Sequence, residues 1–60
     1  MPIAHIYMKE GRSDEQKKDV IDNVCKALAE STQAPLETIR VIIQEVPSAH
    51  WGKPEAPKVL

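Results

Sequence analysis

The chain has no phenylalanine, one cysteine, two glycines and two aromatic residues, Tyr7 and Trp51, among its 60 positions. A single cysteine excludes an internal disulfide, and Cys25 with His5 and His50 makes a poor zinc set. Charge of one sign is also lacking, since eight Lys+Arg against nine Asp+Glu leave a net charge of -1. The basic excess that marks a nucleic-acid or membrane-surface protein is therefore missing. No apolar run approaches the roughly 18–20 residues of a membrane span, and the first residues lack the charge-then-apolar order of a signal peptide. These absences predict a cytoplasmic protein with neither a nucleic-acid nor a membrane partner. There is no Gly-rich phosphate loop, no Ser/His/Asp set and no cluster of carboxylates. Composition alone names no chemistry.

The apolar fraction, 42%, is too high for a disordered chain. Its length allows one domain over 1–60 with a small core. A monomer of this size buries only about 60% of the surface that its unfolded chain exposes, and such domains lean on disulfides, metals or partners. With the first two excluded, self-association remains.

Residues 3–8, Ile-Ala-His-Ile-Tyr-Met, read as a strand with no clearly polar face, so cover is expected on both sides. Gly11 supplies a turn. Ser13 and Gln16 are spaced for a capping box, and Asp14 and Glu15 suit the positive end of a helix dipole. A helix is predicted over 14–33, with Val20, Ile21, Val24, Cys25, Ala27, Leu28 and Ser31 on one broad stripe. Lys17 falls on that stripe in the first turn, from which it can snorkel outward. Pro35 ends the helix. Residues 39–46, rich in β-branched side chains, form the second strand, and 48–60 are a tail without a clear period.

A helix between two strands is a crossover, so the strands should be parallel. The fold class is α/β (α+β), one β-α-β unit. Two strands are marginal in water and their edges stay open, so further copies must complete the sheet. Any active site is then expected to be shared between chains.

Cys25, on the apolar stripe, reads as a small buried hydrophobe, because a reactive thiol needs an electropositive, accessible place. His5 and His50 read as packing or surface residues, since a metal needs several convergent ligands. Trp51 lies in a Pro/Gly-containing tail with little core nearby, a place where tryptophan caps an interface or pocket. Pro2, Arg12 and Arg40 carry little weight singly.

Together they form a pattern. Met-Pro-Ile-Ala-x-Ile at the start, then Glu10-Gly11-Arg12-Ser13-Asp14-Glu15-Gln16-Lys17, then Ala34-Pro35-Leu36 before Ile39-Arg40-Val41-Ile42-Ile43, closely resemble the 4-oxalocrotonate tautomerase family from Met1 to about Gly52. The resemblance implies a tautomerase/MIF-like fold in which subunits pair into a four-stranded sheet and three pairs form a hexamer. It implies a cytoplasmic isomerase of aromatic-hydrocarbon catabolism that needs no cofactor and no metal. In the family the initiator methionine is removed and the exposed proline is the general base, a role that falls here on Pro2. A neutral amine is needed at neutral pH, and both burial and nearby guanidinium charges disfavour the ammonium form. Arg12 matches the arginine that grips the distant carboxylate, and Arg40 the one that holds the 2-oxo/hydroxy end. Both can offer paired N–H donors to anionic oxygen. Trp51 stands where the tautomerase has a phenylalanine lining the pocket. The implied partners are a small carboxylate substrate and other copies of the chain, as a homohexamer, with a heterohexamer as the alternative.

Three departures set the alternatives. Gly52-Lys53-Pro54-Glu55-Ala56-Pro57 replaces the family's glycine-rich hairpin, leaving open whether its contact with a neighbouring subunit is kept. Lys9 replaces an apolar residue and resembles the family's dehalogenase branch, which hydrates halogenated acrylates. Lys53, however, stands where that branch carries its water-activating acid. Finally, retention of Met1 would make the Pro2 nitrogen an amide, leaving a non-catalytic assembly subunit. The leading expectation is a keto-enol tautomerase of a 2-hydroxydienoate or 2-oxo-enoate, with 2-hydroxymuconate as the favoured dicarboxylate.

Overall fold

The computed structural model describes residues 2–54. The fate of Met1 and the last part of the tail, 55–60, lie outside the described residues. In chain order the elements are β1 (Ile3–Lys9), α1 (Asp14–Thr32), a 3-10 turn at Leu36–Thr38, β2 (Arg40–Val46) and a second 3-10 turn at Ser48–His50. β1 and β2 pair in parallel, with Ile3 opposite Arg40 and Lys9 opposite Val46. This is the β-α-β unit that a helical crossover requires.

The boundaries follow local hydrogen bonding. β1 extends to Lys9 because the ladder runs that far, and Glu10 N–H continues it to the Val46 carbonyl at 2.9 Å. Ser13 opens α1 with a complete capping box: its Oγ accepts the Gln16 N–H at 3.1 Å, and Gln16 Oε1 accepts the Ser13 N–H at 3.0 Å. Gln33 caps α1 instead of extending it, because its φ of 57° lies in the left-handed region. Ile39 precedes β2, its N–H closing the first 3-10 turn on the Leu36 carbonyl at 3.2 Å.

α1 lies against β2, and the residues of the sheet that it half-buries alternate as a strand requires: Ala4, Ile6 and Met8 on β1, Val41 and Ile43 on β2. The half-buried stripe of α1 is Lys17, Val20, Ile21, Val24, Cys25, Leu28 and Ala29. Ala27 and Ser31 are exposed, against expectation. Successive residues turn by about 100°, which puts Ala27 just beyond Val20 on the flank of the stripe, whereas Ser31 is on the stripe's line but in the last turn of the helix. Lys17 does not snorkel to solvent. Its Nζ bonds to Glu45 of β2 at 3.0 Å and lies 3.3 Å from Asp14.

Within one chain nothing among the described residues covers the second sheet face, the one whose cover is expected from further copies. Ile3, Tyr7 and Ile42 are 61%, 64% and 49% exposed, and only Ile39 among the described residues is buried, at 4% exposure. The His5 and Tyr7 rings stack on this face with centroids 4.9 Å apart. A fold with a single buried side chain among its described residues has little hydrophobic stabilisation of its own.

Folding should therefore be coupled to association. The thermal midpoint, followed by circular dichroism, is expected to rise with protein concentration. A midpoint that stays constant over a hundredfold dilution, about two decades, would mean that the single chain is sufficient.

Candidate active site

Pro2 is half-buried at the start of β1, and its carbonyl accepts the backbone N–H of Arg40 at 3.2 Å. The parallel register thus puts the first residue of the described chain beside the first residue of β2. Arg40 is exposed, and its Nη1 donates to the carbonyls of Glu37, at 2.8 Å, and Ile39, at 2.9 Å. Those bonds lay the guanidinium along the turn preceding β2. Its Nε and Nη2 donors have no partner among the described residues, so the arginine is oriented without being saturated.

Arg12 is exposed in the loop between β1 and α1 and makes no hydrogen bond or ion pair among the described residues. The loop turns at Gly11, whose φ of 119° a side chain would resist. Trp51 follows the second 3-10 turn and is 49% exposed. Because the strands are parallel, their far ends coincide, and Arg12 and Trp51 share that end of the unit. Pro2 and Arg40 share the other. Strands of seven residues separate the two pairs by roughly 20 Å, at about 3.3 Å per residue.

One chain therefore joins Pro2 to Arg40 through a backbone bond and carries Arg12 and Trp51 on segments beyond the other ends of the strands. It encloses no cavity among the described residues. Three or more His, Cys, Asp or Glu side chains nowhere converge as metal ligands among those residues. No described helix is long and apolar enough to cross a membrane. Two polar links went unread in the sequence. Lys17 on an apolar stripe was a signal, since a charge on a covered face needs a partner, here Glu45. Glu10, whose Oε1 accepts the Ser48 N–H at 2.9 Å, gave no comparable sign.

The family described as tautomerase enzyme matches residues 2–58. A 2-hydroxymuconate tautomerase of Pseudomonas putida is 58% identical over 52 residues, covering 87% of this chain and 82% of that protein. Among solved structures, a 4-oxalocrotonate tautomerase isozyme from Methylibium petroleiphilum superposes with a TM-score of 0.84 at 48% identity, covering 87% of this chain and 84% of the other. A heterohexamer 4-oxalocrotonate tautomerase from Chloroflexus aurantiacus J-10-fl gives a TM-score of 0.82 at 45% identity, covering 85% of this chain and 82% of its own.

The Lys17 ammonium carries a raised pKa, first through its hydrogen bond to Glu45 and then through that to Asp14. A raised folded pKa gives stability that is fully present below the unfolded lysine value of about 10.4 and is lost as pH rises through the folded value. The urea midpoint of the protein should thus exceed that of Lys17→Met at about pH 9, and the gap should narrow toward about pH 12. A gap independent of pH would show that Lys17 contributes only its aliphatic stem.

Proposed function

The chain belongs to the tautomerase family of enzymes, and on that premise we propose that it is a cofactor-independent keto-enol tautomerase of a 2-hydroxydienoate or 2-oxo-enoate, with the dicarboxylate 2-hydroxymuconate as its substrate. The observation that carries this reading is the juxtaposition of a half-buried Pro2 with Arg40 through the 3.2 Å backbone bond. With Met1 removed, Pro2 offers a secondary amine held rigidly at a strand start. The amine takes the proton of the 2-hydroxyl group and delivers one to a carbon of the conjugated chain. No atom is gained or lost.

Arg40 supports the charge that develops on the oxygen, using the donors that Glu37 and Ile39 leave free. Arg12 grips the remote carboxylate and Trp51 lines the pocket with an apolar wall. The roughly 20 Å between the two pairs exceeds the reach of a small dicarboxylate. Each site accordingly draws residues from more than one copy, in a homohexamer built as a trimer of dimers. We assign the enzyme to the cytoplasm, with no cofactor.

Blocking the amine tests the base. Pro2→Ala, processed to a free amine, should keep residual activity, whereas a retained Met1 or an acetylated N-terminus should lose about 10²–10⁴ in rate, the worth of a positioned base. Intact mass spectrometry identifies which terminus is present. Full-rate turnover of 2-hydroxymuconate by N-blocked protein would rule out the proline mechanism.

The arginines should separate by kinetic parameter. A lost charge-assisted hydrogen bond costs roughly 1.5–3 kcal/mol, or about 10–150-fold. Arg12→Ala should chiefly raise KM for a dicarboxylate and matter much less for a monocarboxylate analogue. Arg40→Ala should chiefly lower kcat, because its interaction strengthens as charge develops. Small, equal effects on both substrates would make the two arginines ordinary surface cations.

A further inference from the structure

Arg12 and Trp51 are far apart in sequence, yet a short chain of hydrogen bonds links the segments that carry them. It centres on Glu10. The Glu10 N–H donates to the Val46 carbonyl at 2.9 Å, carrying the ladder one step beyond β1. The side chain of the same residue reaches past Pro47, and Oε1 accepts the Ser48 N–H at 2.9 Å. The Ser48 carbonyl accepts the Trp51 N–H at 3.2 Å, and the Pro47 carbonyl accepts the His50 N–H at 2.8 Å. Ser48 is thus held at its N–H by Glu10 while its carbonyl holds Trp51. In the other direction, only Gly11 with its φ of 119° separates Glu10 from Arg12.

Glu10 has no ion-pair partner among the described residues, so no cation competes there for its carboxylate. A carboxylate accepting a backbone N–H makes a charge-assisted bond, stronger than one between neutral groups. This bond is made at the first position of the turn that delivers Trp51, and by the segment that delivers Arg12. No other side-chain hydrogen bond among the described residues joins these two segments.

We propose that Glu10 is a positioning residue for substrate recognition: by holding the Ser48 N–H it sets where Trp51 stands relative to the Arg12 loop. The link to Trp51 stands on the hydrogen bonds alone. The consequence for substrate rests on the tautomerase reading above, and the two are separable because Trp51 is the single tryptophan of the chain and reports by its own fluorescence.

The test compares Glu10→Ala, Glu10→Gln, Ser48→Pro and the Glu10→Ala/Ser48→Pro double variant in the assembled full chain. Ser48→Pro deletes the N–H that Glu10 accepts. It suits the backbone, since Ser48 opens a 3-10 turn and Pro47, at φ -57° and ψ 147°, has the conformation favoured before proline. Glu10→Ala and Ser48→Pro should each shift Trp51 emission to the red and increase its quenching by acrylamide. Each should raise KM for 2-hydroxymuconate about fivefold, the worth of one exposed hydrogen bond, with kcat changed less. Glu10→Gln keeps an acceptor oxygen and should recover part of both effects. The double variant should be no worse than either single one, because both remove the same bond.

Unchanged emission and quenching in the single variants, or additive effects in the double one, would overturn the proposal. Should Glu10→Ala fail to assemble, Ser48→Pro and Glu10→Gln decide by the same readouts. Altered fluorescence with unaltered KM would overturn the role in recognition. A wild-type protein that does not turn over 2-hydroxymuconate would remove the substrate reading, and the fluorescence would still decide the Glu10–Trp51 link.

Discussion

A nineteen-residue helix joins two strands of seven, and that crossover makes them parallel and leaves the helix lying on one side of the pair. One helix cannot cover both faces of even a two-stranded sheet. Residues of one parity, Ala4, Ile6, Val41 and Ile43, are half-buried, while Ile3, Tyr7 and Ile42 of the other parity face outward. Burying apolar area is the main source of folding free energy, at about 25 cal/mol per Å². A unit that leaves this face open has most of its remaining stabilisation available only through contact with something else. On the proposed assembly, sheet completion and folding become one problem.

The same parallel geometry divides the candidate site. Parallel strands bring their starts to one end and their finishes to the other, so Pro2 meets Arg40 while Arg12 and Trp51 both lie beyond the strands' other ends. An antiparallel hairpin of the same length would have mixed a start with a finish. Here the two halves of the proposed machinery sit at opposite ends of one rigid ladder. In the proposed function, a substrate that needs a base and oxygen support at one end and a carboxylate grip at the other is held between copies. The Arg40 guanidinium is already steadied by the Glu37 and Ile39 carbonyls within its own chain. Orientation of that half is therefore local, and its completion is not.

Much of the secondary structure was legible because its causes are local. Ser13 and Gln16 announce the helix start through a spacing that lets each satisfy the other's backbone N–H. The β-branched run into β2 and the largely apolar run of β1 needed no distant information. Where the reading slipped, distant contacts decided. The edge of the helix stripe at Ala27 and Ala29 depends on which line of α1 faces β2, and helical periodicity leaves that free by a residue or so on either flank. Lys17 looked like a cation to be steered into water because Glu45, its partner on β2, is invisible to a reading along the helix. Glu10 and Ser48 are joined only because β1 and β2 end side by side. The candidate site residues were legible as a pattern shared with a family, since Pro2, Arg12 and Arg40 carry little information singly.

By itself the amino-acid sequence determined the element types, the helix cap, the parallel order of the strands and the family to which the chain belongs. These follow from side-chain periodicity, backbone propensity and connection length, all of which act over a few residues or along one connection. Only the tertiary structure decided which sheet face the helix leaves uncovered within one chain, that Lys17 is tied to Glu45, and that Glu10 reaches the turn before Trp51. It also decided which site residues stand together, pairing Pro2 with Arg40 and setting both apart from Arg12 and Trp51. Those facts depend on strand register and on the seat of the helix across the sheet, which short-range preferences do not specify.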